Sequence, residues 1–147
     1  MLIISIGIFW YIIRFIIILF FIEQKQVNMK TIQPILTITG SDSTGGSGVQ
    51  ADIRTISELG GYAVSAITSI TVQNTLGIQA FFDIPAEIVS GQIEAIMNDI
   101  QPSIVKVGMI RRVETLEVVI DALTKYRPDY IIYAPAIWSS NGDALMT

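Results

Sequence analysis

The chain has 147 residues, 51% of them hydrophobic, enough for one domain with its own core. Its formal net charge is -4 and no basic patch stands out, which argues against a nucleic-acid partner. With no cysteine and no histidine it excludes disulfides, thiol nucleophiles, imidazole bases and Cys/His zinc sites, and the lack of cysteine fits a cytoplasmic protein.

The first 22 residues, MLIISIGIFWYIIRFIIILFFI, are long and apolar enough to read as a membrane-spanning helix with one charge, Arg14, at its middle. A central arginine costs about 2.5–3.5 kcal/mol on an insertion scale, which the surrounding Ile, Phe and Leu offset. The segment does not fit a secretory signal, because no basic stretch precedes it and no small-residue cleavage site follows. At Glu23 the composition switches abruptly, and Met29-Lys30, after the polar EQKQVN, looks like a natural start. Residues 1–28 thus read as an apolar leader, either from a start placed too far upstream or as a genuine membrane anchor. The first reading implies a cytoplasmic protein beginning at Met29, and the second one held at a membrane through residues 1–22.

From Thr31 onward strand-like and helix-like units alternate. Residues 35–39, ILTIT, predict a short apolar strand, followed by a glycine-rich loop, TGSDSTGGSG. Residues 48–59 have helical spacing, with Val49, Ile53, Ile56 and Leu59 on one face, and Gly60-Gly61 stops that helix. The β-branched run at 62–72, YAVSAITSITV, predicts one buried strand, and 78–84, IQAFFDI, another. After Pro85, Ile88, Val89, Ile93, Ile96, Met97 and Ile100 recur at helical spacing. Residues 104–109, IVKVGM, predict a strand. Val113, Leu116, Val119, Ile120 and Leu123 mark a helix, with Glu114, Glu117, Asp121 and Lys125 on its outside. A last strand, YIIYA, covers 130–134. The alternation implies an α/β fold with a largely parallel sheet covered by helices. Ligands then sit beyond the carboxyl ends of the strands, which brings the loop at 40–48, residues 73–75, residues 108–109 and the segment from Pro135 to one edge. The final SSNGDALMT looks like the start of a further element, so the chain reads as truncated, with an open sheet edge.

Two phosphate-binding patterns come close to the glycine-rich loop and fail. Gly40 to Gly45 has P-loop spacing, but Gly46 stands where the phosphate-binding lysine belongs. Gly46-x-Gly48-x-x-Ala51 matches a dinucleotide fingerprint, but five positions separate the strand end from Gly45, and the next strand ends in Gln73-Asn74, not an acid. An ordinary strand-to-helix turn is the plain alternative. On a wheel at 100° per residue, however, Asp52 falls inside the apolar arc between Ile56 and Leu59. An inward carboxylate needs a partner, since leaving it unpaired costs several kcal/mol. It is either a first-turn acid favoured by the helix dipole or a carboxylate aimed at a ligand donor. Gln73 and Asn74 end an apolar strand at the same edge, where they either form a turn or read a heteroaromatic ring through one donor and one acceptor. Met109 closes another strand there, as core or as cover for a flat ring.

Together GSDSTGGSGVQADIRT, TVQNT and VKVGM, in this order and at these separations, resemble the bacterial hydroxymethylpyrimidine and phosphomethylpyrimidine kinases of thiamine biosynthesis, in the ribokinase-like superfamily. The likeness runs from about Met29 to the end. It implies a three-layer α/β/α ribokinase-like sandwich with a mostly parallel sheet, here truncated. It also implies transfer of the γ-phosphoryl group of ATP, with Mg2+, to 4-amino-5-hydroxymethyl-2-methylpyrimidine and then to its monophosphate. Carried over, the substrate pocket comprises Gly40 lining the ring, Asp52 and Gln73 bonding its amino group and ring nitrogen, Met109 packing on it, and Ala136 at the pocket position of the fourth segment. A homodimer is compatible with the resemblance, because members of that family often dimerise.

Two departures matter. The family usually has Asp-Pro-Val-Met after the last strand, and this chain has Ala134-Pro135-Ala136-Ile137, so the acid that organises metal and phosphates is replaced. The family's Gly-Thr-Gly anion-hole turn and most of its nucleotide site belong to a C-terminal half beyond these residues, so no catalytic residue is expected here and the chain alone should catalyse little. Pyridoxal kinase is the neighbouring alternative, although Asp52 with Gln73 favours an aminopyrimidine. A non-catalytic pyrimidine-binding protein is the rival that Ala134 motivates. A membrane-anchored interaction module rests on residues 1–22 alone.

Overall fold

The computed structural model describes residues 32–138, 142, 144 and 145. The apolar leader and the expected start at Met29 lie outside them. In chain order the elements are β1 (Pro34–Thr39), α1 (Gly48–Glu58), β2 (Tyr62–Ile67), β3 (Ser69–Asn74), β4 (Gly77–Asp83), α2 (Ala86–Asp99), β5 (Ile104–Val107), α3 (Val113–Tyr126) and β6 (Tyr130–Tyr133). Four strands form a parallel sheet in the order β2-β1-β5-β6.

Side chains alternate across this sheet, and the two faces differ in chemistry. Leu36 and Ile38 of β1, Val64 and Ala66 of β2, and Val105 and Val107 of β5 point to one face. There they form the main core with Val89, Ile93 and Met97 of α2 and Val119 of α3. The residues between them, including Ile35, Thr37, Thr39 and Lys106, point the other way, toward α1. Helix α1 packs on β1 and β2 with Val49 buried and Asp52 and Ile56 partly buried. The result is a three-layer α/β/α arrangement. The apolar arc expected for this helix is narrower than the wheel suggested: Ile53 is 40% and Leu59 83% exposed. The helix rests on the sheet through Val49, Asp52 and Ile56, which leaves Ile53 at the rim and Leu59 past the last turn.

The single buried strand expected at 62–72 is two strands. The break is at Thr68, whose backbone leaves the ladder. Its N–H donates to Thr39 O at 3.0 Å, its carbonyl accepts from Ile84 N at 3.0 Å, and its hydroxyl donates to Met109 O at 2.8 Å. Past that point β3 turns away and pairs antiparallel with β4, so the strand expected at 78–84 belongs to a two-stranded ribbon outside the parallel sheet. A bulge interrupts the ribbon: Val72 faces Ala80 and Gln73 faces Ile78, leaving Gln79 extra. β5 ends at Val107, so Gly108 and Met109 lie beyond the strand rather than in it. At the β2 edge, Gln92 of α2 takes the place of a neighbouring strand. Its Oε1 accepts from Ile67 N at 3.0 Å and its Nε2 donates to Ile67 O at 3.1 Å. The other edge, β6, exposes all four side chains, from 51% at Ile131 to 67% at Tyr130.

Candidate functional site

A cavity of about 570 Å³ opens at the carboxyl ends of β1 and β5, between the glycine-rich loop, the start of α1, the ribbon and the segment after β6. This is the crevice position expected of an open parallel sheet. Gly40, Asp52, Gln73, Met109 and Ala136 all line it, as do Asn74 and Ala134.

The loop that leaves β1 is organised by its own carboxylate. Asp42 is 3% exposed. Its Oδ1 accepts from Thr44 N at 2.8 Å and Thr44 Oγ1 at 2.7 Å, and its Oδ2 from Ser47 N and Ser47 Oγ, each at 2.9 Å. Burial pushes its carboxyl up, but the hydroxyl and backbone donors of Thr44 and Ser47 outweigh burial and hold it below the ordinary 3.8. Gly48, with φ +60, opens α1 so close to the turn that a Cβ would stand 2.5 Å from Gly40 O. The loop is stitched to the ribbon as well. Ser41 N donates to Ser69 O at 2.9 Å, Thr71 N to Ser41 Oγ at 3.0 Å, and Ser43 Oγ to Thr71 O at 3.0 Å. Sequence reasoning gave Asp42 no role. Its signal was the hydroxyl residues two and five positions on, the pattern of an Asx-type turn.

Asp52 points to the sheet and the cavity together. Its side chain is 19% exposed, and Oδ2 accepts from Thr37 Oγ1 at 2.5 Å and from Lys106 Nζ at 2.7 Å. Thr37 and Lys106 are register partners on β1 and β5, so the parallel pairing sets both donors side by side under α1. Lys106 also lines the cavity. It is a functional candidate that the sequence reading missed, although a lysine inside the apolar strand IVKVGM was a visible anomaly.

Gln73 reaches the cavity through the ribbon's bulge, which brings it and Ile78 opposite each other with both lining the cavity. Met109 is 9% exposed. Its backbone is pinned on both sides: its N–H donates to Thr39 Oγ1 at 3.1 Å and its carbonyl accepts from Thr68 Oγ1 at 2.8 Å. Its Cε lies where a Cβ on Gly40 would have to go, so a glycine at 40 and a methionine at 109 fit one another. Ala134 follows β6 and donates its N–H to Val107 O at 2.9 Å, which brings a methyl group to the cavity wall. Trp138 and Leu145 also line the cavity, tied by the Trp138–Ala144 bridge and by Leu145 N donating to Ile137 O at 2.9 Å. Arg111 holds this segment to the ribbon, donating to Leu145 O at 3.2 Å and Asp83 Oδ1 at 3.0 Å and stacking 3.5 Å from the centre of the Phe81 ring. Nothing in the local sequence announced the contacts of Arg111, because each joins residues far apart in the chain.

The cavity therefore offers a carboxylate, a side-chain amide and an ammonium group beside apolar surface from Met109, Ala136 and Ile78. Such a set can bind a small polar molecule through both donors and acceptors. Among the described residues no group of three or more Asp, Glu, His or Cys could hold a metal ion.

A parallel sheet between helical layers, with a cavity at its strand ends, is an open α/β/α fold, and the comparisons identify its class as ribokinase-like. The structure is similar to a phosphomethylpyrimidine kinase from Clostridium difficile 630, with a TM-score of 0.74 and 44% identity over 78% of this chain and 50% of that one. It is also similar to a pyridoxal kinase from Staphylococcus aureus, with a TM-score of 0.67 and 26% identity over 76% of this chain and 41% of that one. In sequence it is 45% identical over 111 residues to a hydroxymethylpyrimidine/phosphomethylpyrimidine kinase from Rhizobium meliloti (strain 1021), covering 76% of this chain and 41% of that protein. A model of the phosphomethylpyrimidine kinase family matches residues 42–147. The chain belongs to the phosphomethylpyrimidine kinase family. It spans about two fifths of the length of its Rhizobium relative.

Proposed function

We propose that this chain carries the pyrimidine-binding part of a hydroxymethylpyrimidine/phosphomethylpyrimidine kinase, which moves the γ-phosphoryl group of ATP to 4-amino-5-hydroxymethyl-2-methylpyrimidine and to its monophosphate. The observation that carries this reading is the convergence of Gly40, Asp52, Gln73, Met109 and Ala136 on one cavity. In it the ring lies against Gly40 and Met109, its amino group donates to Asp52, and Gln73 pairs with a ring nitrogen. The identity of 44% with a phosphomethylpyrimidine kinase, against 26% with a pyridoxal kinase, supports the aminopyrimidine over pyridoxal.

The described residues around the cavity do not fit a Mg2+ site. Asp42 spends both oxygens on its own loop, one oxygen of Asp52 is held by Thr37 and Lys106, and Ala134 supplies a methyl group. No step of the transfer is therefore assigned to them. What they do is bind and orient: placing the hydroxymethyl group is the positioning on which phosphoryl transfer depends. The same Ala134 favours a second reading, a member of the family that binds the pyrimidine without transferring phosphate. Both readings are compatible with a cytoplasmic protein, with one anchored at a membrane through residues 1–22, and with a homodimer.

Titration calorimetry of the chain with 4-amino-5-hydroxymethyl-2-methylpyrimidine tests the binding. Asp52→Asn and Gln73→Leu should each weaken it by about tenfold or more, the value of one buried hydrogen bond left unmade. Unchanged affinity in both variants contradicts the proposal. Transfer from ATP, followed as ADP release, separates the two readings.

A further inference from the structure

Asp52 is held asymmetrically. Thr37 and Lys106 both donate to Oδ2, while Oδ1 has no protein donor among the described residues and belongs to a side chain that lines the cavity. The asymmetry is built into the sheet. Thr37 and Lys106 face each other across β1 and β5 on the α1 side, and their strand neighbours Leu36, Ile38, Val105 and Val107 serve the core on the other side. Both donors thus rise from one surface and converge on the oxygen nearest to it. A merely neutralised acid would be satisfied better with one donor on each oxygen. Lys106 itself is three-quarters buried, with 23% side-chain exposure, a position that a lysine keeps only with a partner.

We propose that Lys106 is a positioning residue for ligand recognition: with Thr37 it pins Oδ2 of Asp52 to the sheet and so presents Oδ1 to the amino group of an aminopyrimidine. The inference rests on the proposed function and goes one step deeper into the same site. An acceptor whose rotamer is fixed before the ligand arrives loses little freedom on binding. It also selects. A substituent bearing only lone pairs in the place of the amino group would set acceptor against acceptor.

The test uses the whole 147-residue chain and two probes, 4-amino-5-hydroxymethyl-2-methylpyrimidine and the same ring without its 4-amino group. Lys106→Met should weaken binding of the amino probe about tenfold or more, while the other probe changes by less than about threefold. Lys106→Arg, which keeps the charge and the donors, should recover most of the loss. Equal losses with both probes, or none, overturn the proposal. So does a larger loss with the 5-phosphate ester of the amino probe than with the probe itself, which would make Lys106 a direct anion contact. If Lys106→Met fails to fold, Thr37→Val removes the other donor to Oδ2, and the same dependence on the amino group is expected. Failure of the unaltered chain to bind either probe counts against the proposed function. The positioning claim is then read without ligand, from the χ1 couplings of Asp52. One rotamer is expected in the unaltered chain and rotamer averaging in Lys106→Met. A single unchanged rotamer in the variant overturns the claim whatever the binding shows.

Discussion

Asp42 and Asp52 lie ten positions apart and do opposite work. Asp42 faces inward to its own loop, where four hydrogen bonds occupy both its oxygens. Its folded carboxyl sits below the ordinary 3.8, so it adds stability that is present above that value and is lost as the pH falls through the lower, folded value. Asp42→Asn should cost about 1–3 kcal/mol at neutral pH, because the Ser47 donors would meet an amide N–H group. Its acid unfolding curve should also lose less stability below about pH 4 than the unaltered chain. Equal urea midpoints at pH 7 would contradict this. Gly40 makes a second residue-scale case. A Cβ there meets Met109 Cε and stands 2.7 Å from Ser69 Oγ, a buried hydroxyl that already lacks a partner. Gly40→Ala should destabilise by about 1–3 kcal/mol, and Met109→Ala in the same chain should recover part of it. Additive losses in a thermal-melt cycle would show that the two residues do not share that space. At this scale the sequence exposed Asp52, because a charge inside an apolar arc stands out on a helical wheel. It hid the purpose of Lys106, because its partner lies 54 positions away.

Among the elements, the three helices and the strands β1, β5 and β6 follow their apolar patterns to within a few residues. The run at 62–72 does not. Its β-branched density says strand and is silent on which sheet. The break comes from Thr68, whose backbone and hydroxyl bonds go to Thr39, Ile84 and Met109, and no glycine or proline marks it. The consequence for the site is direct, because Gln73 reaches the cavity on a ribbon with a bulge rather than on a strand of the main sheet. Deleting Gln79 removes the extra residue, makes Val72–Ala80 and Gln73–Ile78 consecutive rungs of a regular ladder, and takes away the bend that the bulge adds. Pyrimidine binding should then be lost while the far-ultraviolet dichroism of the chain stays nearly the same. Retained affinity would show that the bulge does not aim Gln73. Gln92 is an edge device of the same kind. Gln92→Leu leaves Ile67 N–H and C=O without their partners and should cost about 1–3 kcal/mol in denaturant unfolding. A midpoint unchanged from the parent would argue that water replaces the clamp.

Over the whole molecule, the α/β/α layering was legible from alternation alone, and the cavity at the strand ends follows from it. The cavity's lower wall was legible through three short motifs. Its upper wall, Trp138, Leu145 and the Arg111 tie, was not, because those contacts exist only once the chain has folded. β6 forms one edge of the sheet, and both its faces, Tyr130 with Ile132 and Ile131 with Tyr133, are more than half exposed. An exposed apolar edge strand of this kind offers a template on which another chain can pair. Ile132→Lys should therefore lower the mass seen by sedimentation at a given concentration, and Ile120→Lys, on the exposed side of α3, should not. The central claim is that Gly40, Asp52, Gln73, Met109 and Ala136 form one aminopyrimidine site. An amide chemical-shift map of the chain titrated with 4-amino-5-hydroxymethyl-2-methylpyrimidine tests it most directly. Saturable shifts clustered on these five residues and Lys106 are the expected result. No shifts, or shifts confined to the helical face formed by α2 and α3, would contradict the account.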